Sequence, residues 1–295
     1  MESRWRLPLR AGRALELAHV PGVMAILNVT PDSFSDGGRF DTAAAAVEAG
    51  LRAADLGAVV VDVGGESTRP RGGTYGSGAG DVAEDEEIRR VLPIVEEIRK
   101  ARPGLAISVD TRKPTVARRA LQAGADMINV VTGLDPDAEL LGLVAEHDAA
   151  LVLNHCRGTP QNTFEVSRFS DVVEEVAADL VAALGLALAS GVPREKVLLD
   201  PGLGFGKNAR ENEALLANLG LLAPRETPLV VGASRKAFLA AGSSVPAAER
   251  LPESLAAVAV AAAESSSRPL FVRVHDVGET IRFLGVLERV RAAER

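Results

Sequence analysis

Residues 105–155 read LAISVDTRKPTVARRALQAGADMINVVTGLDPDAELLGLVAEHDAALVLNH. Three short apolar runs stand out in this stretch: LAISVD (105–110), MINVV (127–131) and ALVLNH (150–155). Between them lie PTVARRALQAG (114–124) and DPDAELLGLVAEH (135–147), which carry apolar residues at helical spacing. The runs are apolar on both faces, as suits strands buried on both sides. Strands of that kind belong to a parallel sheet whose crossovers are helices.

The same alternation continues on either side. VMAILNV (23–29) and AVVVDVG (58–64) precede it, and VLLDPG (197–202), PLVVGAS (228–234) and LFVRVHD (270–276) follow. Eight strand–helix units in a chain of 295 residues predict an α/β fold, a single (β/α)8 TIM barrel, because doubly wound open sheets usually have fewer strands. Residues 21–295 read as one barrel domain, and residues 1–20 as a short N-terminal extension that plugs or covers the barrel floor. No Pro/Ser-rich linker divides the chain. Helix starts are predicted at Asp41-Thr42, Pro114, Asp135-Pro136, Asp171 and Pro252, and Pro93 is expected to kink or restart its helix.

Composition narrows the function. Lys and Arg number 33 against 40 Asp and Glu, a net charge of −7, which argues against a nucleic-acid partner. Cys156 is the only cysteine, so neither a disulfide framework nor a cysteine zinc cluster is possible. The apolar run 255–263 is well short of the roughly 20 residues of a membrane span. No signal-peptide core precedes the first strand, so the expectation is a cytoplasmic protein with no membrane partner.

Polar residues gather where the strands end: Asn28, Asp62 and Glu66, Asp110, Asn129, Asn154 and His155, Asp200, Ser234 with Arg235 and Lys236, then Arg273, His275 and Asp276. In a (β/α)8 barrel these ends share the rim on which active sites are built. Asp110, Asn129, Asp200 and Lys236 suit a flat nitrogen heterocycle, with Asp200 facing paired N–H donors. Arg69, Arg235, Arg273 and His275, with Asn28, suit an anion such as phosphate. PGLGFGKN (201–208) is not a Walker A loop, since Pro201 and Asn208 stand where Gly and Ser or Thr are required. It reads as a glycine-rich turn that lets backbone approach a ligand. Cys156 reads as a pocket-lining residue and not as a nucleophile.

ILNVTPDSFSDGGRF (26–40), DVGGESTRP (62–70), ISVDT (107–111), GADMIN (124–129), DPGLGFGK (200–207), GASRK (232–236) and RVHDV (273–277), in that order, closely resemble the dihydropteroate synthase family. The resemblance implies a (β/α)8 barrel of folate synthesis that joins 6-hydroxymethyl-7,8-dihydropterin diphosphate to 4-aminobenzoate and releases pyrophosphate. It also implies Mg2+, sulfonamide competition with the aminobenzoate, and a homodimer. Carried over residue by residue, Asp110, Asn129, Asp200 and Lys236 would hold the pterin, and Arg273, His275 and Thr68 the diphosphate. Asn28 would ligate magnesium. Thr68, Arg69, Pro70, Phe205 and Ser234 would form the aminobenzoate side. Phe34 and Asp36 would close over the substrates. Asp110, Lys236, Arg273 and His275 would carry the catalysis.

Three departures from the family pattern are visible: Val130 where Asp usually follows the Asn, a longer glycine-rich loop at 71–81, and Asn154 and Cys156 where Met is common. Two other readings share part of this set. A pterin-dependent methyltransferase accounts for Asp110, Asn129 and Asp200 but gives no role to Arg69, Arg273 or His275. A non-catalytic pterin-binding homologue is kept open by Val130 and the second loop.

Overall fold

The computed structural model describes residues 5–17, 21–29, 39–66, 82–131, 133–240, 242–264 and 268–293, with backbone alone at 39–42. Phe34, Asp36, Thr68, Arg69, Pro70 and the 71–81 segment lie outside the described residues. A short antiparallel hairpin comes first, β1 (Trp5–Pro8) and β2 (Ala14–Leu17). The eight runs then appear as strands: β3 (Gly22–Asn28), β4 (Val60–Gly64), β5 (Ala106–Asp110), β6 (Met127–Val130), β7 (Ala150–Asn154), β8 (Val197–Asp200), β9 (Leu229–Val231) and β10 (Leu270–Val274). They are parallel, and β10 pairs with both β9 and β3, which closes the barrel.

The helices are α1 (Arg39–Asp55), α2 (Glu84–Ala101), α3 (Pro114–Gln122), α4 (Ala138–Glu146), α5 (Thr163–Val166), α6 (Val172–Ala189), α7 (Ala209–Ala217), α8 (Leu251–Glu264) and α9 (Val277–Ala293). Asp171 caps α6 by accepting from the N–H groups of Val173 and Glu174, and Pro114 occupies the first turn of α3, both as expected. Three expectations are corrected. Helix α1 begins at Arg39, ahead of Asp41. Asp137, not Asp135, caps α4, because its carboxylate is the one placed to accept from the N–H of Glu139. Helix α2 runs through Pro93 without restarting. Pro93 is exposed, and so is Arg89, whose carbonyl it leaves without a helical partner.

Strand parity divides the core in two. Outward side chains such as Val61, Val63, Ile107, Val109 and Ile128 pack under the helices. Inward side chains at the strand starts, Met24, Val60, Ala106, Met127, Ala150, Val152, Leu198, Val230 and Phe271, fill the barrel floor together with Leu7, Leu9 and Leu17 of the hairpin. Polar contacts fix the hairpin there. Arg10 donates to the carbonyls of Leu121 at 2.6 Å and Ala125 at 2.8 Å, and Arg13 pairs with the buried Asp126, which also holds Arg99 at 2.5 Å. With the N-terminal end sealed by apolar packing, the polar residues are left at the C-terminal mouth. Among the described residues no helix is long and apolar enough to cross a membrane.

Candidate active site

Asp62 is the hub of the barrel mouth. Its Oδ2 accepts from Asn129 Nδ2 at 3.0 Å and from Arg273 Nε at 2.6 Å. Arg273 then reaches Asp110 Oδ2 through Nη2 at 2.8 Å. Four strands, β4, β5, β6 and β10, thus meet through one guanidinium, two carboxylates and one amide, all at inward-facing positions. Asp62, Asp110 and Asn129 are buried. Burial alone would discourage the Arg273 charge, but Asp62 and Asp110 more than offset this and hold the guanidinium above its usual range. Two carboxylates face one cation. Burial therefore pushes the Asp110 carboxyl up to about 7, against the pull of Arg273 and with the push of Asp62.

A second group surrounds the turn after β8. Asp200 Oδ1 accepts the N–H of Gly202 at 2.7 Å. The Lys236 ammonium donates to the carbonyl of Leu203 and stands 4.6 Å above the Phe205 ring. Burial pushes Asp200 up while Lys236 opposes it, and burial lowers Lys236 to about 8 while Asp200 opposes that. Phe205, Val131 and Cys156 form a small apolar patch beside these charges, and burial raises the Cys156 thiol.

The turn itself is tied from behind. Lys207 is buried, and its Nζ donates to His155 Nδ1 at 3.0 Å and to the carbonyls of Gly202 at 2.9 Å and Phe205 at 3.1 Å. Burial lowers it to about 7. His155 Nε2 meets Asp179 on α6 at 3.1 Å. Burial first, then Lys207, lowers the imidazole to about 4, so a neutral ring with its proton on Nε2 serves both neighbours. The backbone at Gly202 approaches the chain's own His155 carbonyl, which a Cβ would strike. Gly202 thus permits close packing on the segment that follows β7, and Gly206 does the same against Thr163 and Ser167.

At the rim, Ser234 Oγ meets His275 Nδ1 at 3.1 Å and accepts the His275 backbone N–H at 3.2 Å. Asn28 ends β3, exposed, close to Gly64. A Cβ at Gly64 would lie 3.7 Å from Asn28 Oδ1 and 3.9 Å from Asp110 Oδ2, so two hard oxygen donors flank bare backbone there. Among the described residues no group of three or more His, Cys, Asp or Glu is placed to hold a metal. That donor set fits a magnesium ion completed by substrate oxygens and water, the usual state of this ion, and not one caged by protein.

Asp110, Asn129, Asp200, Lys236, Phe205, Ser234, His275 and Asn28 therefore stand at the mouth, as the sequence predicts. Arg273 stands there too, with two of its N–H groups on Asp62 and Asp110. Two placements differ. Arg235 pairs in bidentate fashion with Asp276, at φ 59°, so it does not face the mouth as an anion ligand. His155 turns out of the barrel toward α6. Val130 is buried in the outer core, so its departure from the family pattern leaves the Asn129–Asp62 bond in place. Asp62 stands in the sequence only as a strand-end carboxylate, and its role as the hub comes from the fold. Its parity with Val60 and Gly64 was the signal, since all three point inward. Lys207 was missed too, although a lysine inside an apolar, glycine-rich turn is itself a signal.

The family model described as "Pterin binding enzyme" matches residues 24–292. Dihydropteroate synthase of Escherichia coli K12 is 41% identical over 284 residues, covering 96% of each chain. A solved structure of Xanthomonas albilineans dihydropteroate synthase with 4-aminobenzoic acid superposes with a TM-score of 0.86 at 41% identity and 99% coverage of both chains. Another, of the same enzyme in complex with 7,8-dihydropteroate, gives 0.79 at 38% identity, covering 97% of this chain and 99% of that one. With its barrel, its charged mouth and these relatives, the chain belongs to the pterin-binding enzyme family, among the dihydropteroate synthases.

Proposed function

We propose that this chain condenses 6-hydroxymethyl-7,8-dihydropterin diphosphate with 4-aminobenzoate to give 7,8-dihydropteroate and pyrophosphate. The observation that carries the reading is the Asp62–Arg273–Asp110 cluster beside Asp200 and Lys236. It supplies buried acceptors for ring N–H groups and a buried cation for a ring carbonyl in one apolar-floored cavity.

Asp200 accepts from the amino-pyrimidinone edge, and Lys236 donates to a ring carbonyl from its place over Phe205. Asn129 orients Asp62. Arg273 holds Asp62 and Asp110 in register and keeps N–H groups in reserve for the substrate. The reaction breaks the bond between the pterin methylene and the diphosphate oxygen, and the arylamine nitrogen attacks that carbon. Fixed carboxylates near the ring favour positive charge developing at the methylene. His275 and Ser234 at the rim hold the departing diphosphate and the aminobenzoate side, and Phe205 lines the latter. Asn28 would hold magnesium, which supplies charge neutralisation to the diphosphate. No protein nucleophile is needed, in keeping with the buried, raised thiol of Cys156.

The same reading carries a homodimer. Val181 and Leu186 on α6, with Val260 on α8, leave apolar side chains exposed, and sedimentation at working concentration tests it. For the activity, the test is pyrophosphate release with each component omitted in turn. Release that requires both substrates supports the assignment. Release that is indifferent to 4-aminobenzoate, or no release, overturns it.

A further inference from the structure

Asn154 ends β7 at 5% exposure, and its Oδ1 has no hydrogen-bond partner among the described residues. Ala150 and Val152, at the same strand parity, belong to the barrel floor. Asn154 is therefore the inward-facing residue one step above that floor. Its register partner on β8 is Asp200, and Val152 below it pairs with Asn129 on β6. The amide thus stands between Asp200 on one side and Asn129 on the other. A Cβ at Gly202 would lie 3.2 Å from Oδ1, so glycine there leaves room beside the carbonyl.

A buried amide carbonyl with no donor lowers stability, and an apolar residue would fill the same space without that loss. Two more polar atoms of the same interior are in the same state, Asp62 Oδ1 on β4 and Ser108 Oγ on β5. Three strands thus hold inward-facing oxygens that have no partner among the described residues. Sites built in this way discriminate sharply, because a ligand lacking the matching N–H leaves them unpaired.

We infer that Asn154 is a specificity-determining residue whose Oδ1 accepts a hydrogen bond from the exocyclic amino group of the pterin, next to the N–H pair taken by Asp200. The inference rests on the reading of the barrel mouth as a pterin site. A ring carrying a carbonyl in place of that amino group would set two acceptors face to face, so Asn154 selects against it.

The test is calorimetric titration of 6-hydroxymethylpterin and of its 2-oxo counterpart into wild type, Asn154→Leu and Asn154→Met, with thermal melting of each protein. The expected result is a loss of about tenfold in pterin affinity in both variants. The 2-oxo ligand should bind the variants at least as tightly as wild type, and the melting temperature should hold or rise. A purely structural role would lower melting and weaken both ligands alike. Equal pterin affinity in wild type and variants, or equal losses for the two ligands, overturns the inference. A wild type that binds neither ligand overturns the pterin reading itself. Two variants of different shape keep the comparison available if one fails to fold.

Discussion

Ser234 and His275 are joined twice, Oγ to Nδ1 at 3.1 Å and backbone N–H to Oγ at 3.2 Å. In the proposed function Ser234 serves the aminobenzoate side and His275 the diphosphate side, so the two substrates would share a contact. Binding of one should preorganise the other's partner. Magnesium pyrophosphate is therefore expected to tighten 4-aminobenzoate or a sulfonamide, and by reciprocity each should tighten pyrophosphate by the same factor. Ser234→Ala should reduce that factor severalfold. Paired titrations measure it, and an unchanged factor in the variant removes Ser234 from the coupling.

Asp110 gives a pH signature. Its carboxyl is pushed up to about 7, chiefly by burial. Below that value it holds a proton, and above it accepts from N–H donors. Pterin affinity should therefore rise as pH increases through about 7 in the wild type, and Asp110→Asn should flatten the profile. A profile that keeps the same inflection in the variant assigns the titration elsewhere.

The His155–Lys207 pair should control stability from outside the reacting groups. His155 is lowered from 6.5 to about 4, so the unfolded state takes up a proton first as pH falls. Its contribution is present above pH 6.5 and lost progressively toward pH 4, by roughly 3 kcal/mol at most. His155→Gln should shrink that slope in denaturant melts. Lys207→Met leaves the carbonyls of Gly202 and Phe205 and the His155 ring without their donor, at a cost of roughly 2–4 kcal/mol. It should also disturb Lys236, whose carbonyl partner belongs to the same turn.

The hairpin offers a control. Leu17 is 3% exposed and packs on Phe271 and the barrel floor. Leu17→Ala should cost roughly 2–4 kcal/mol of stability. Substrate KM values should stay near wild type, because the floor lies at the opposite end of the strands from the mouth.

The barrel was legible because eight apolar runs mark strands buried on both faces, and no competing pattern produces that count. Most mouth residues were legible too, since Asp110, Asn129 and Asp200 stand at strand ends. What the sequence hid was pairing across the barrel. Arg273 and Asp62 are 211 positions apart, and nothing local announces that one neutralises the other. Arg235 and Arg273 carry the same charge in the sequence, yet Asp276 claims the first and Asp62 with Asp110 the second. The hairpin strands escaped notice because their two short runs bury side chains only against a floor that the rest of the chain builds.

In the proposed function the acid-rich mouth of this barrel holds the pterin that reacts. Asp200→Ala tests it most directly, through calorimetric titration of 6-hydroxymethylpterin with circular dichroism to confirm the fold. Losing a charged, buried hydrogen-bond partner should weaken binding by roughly 2–3 kcal/mol, on the order of a hundredfold, and abolish dihydropteroate formation. A folded Asp200→Ala protein that binds the pterin with wild-type affinity would contradict the account.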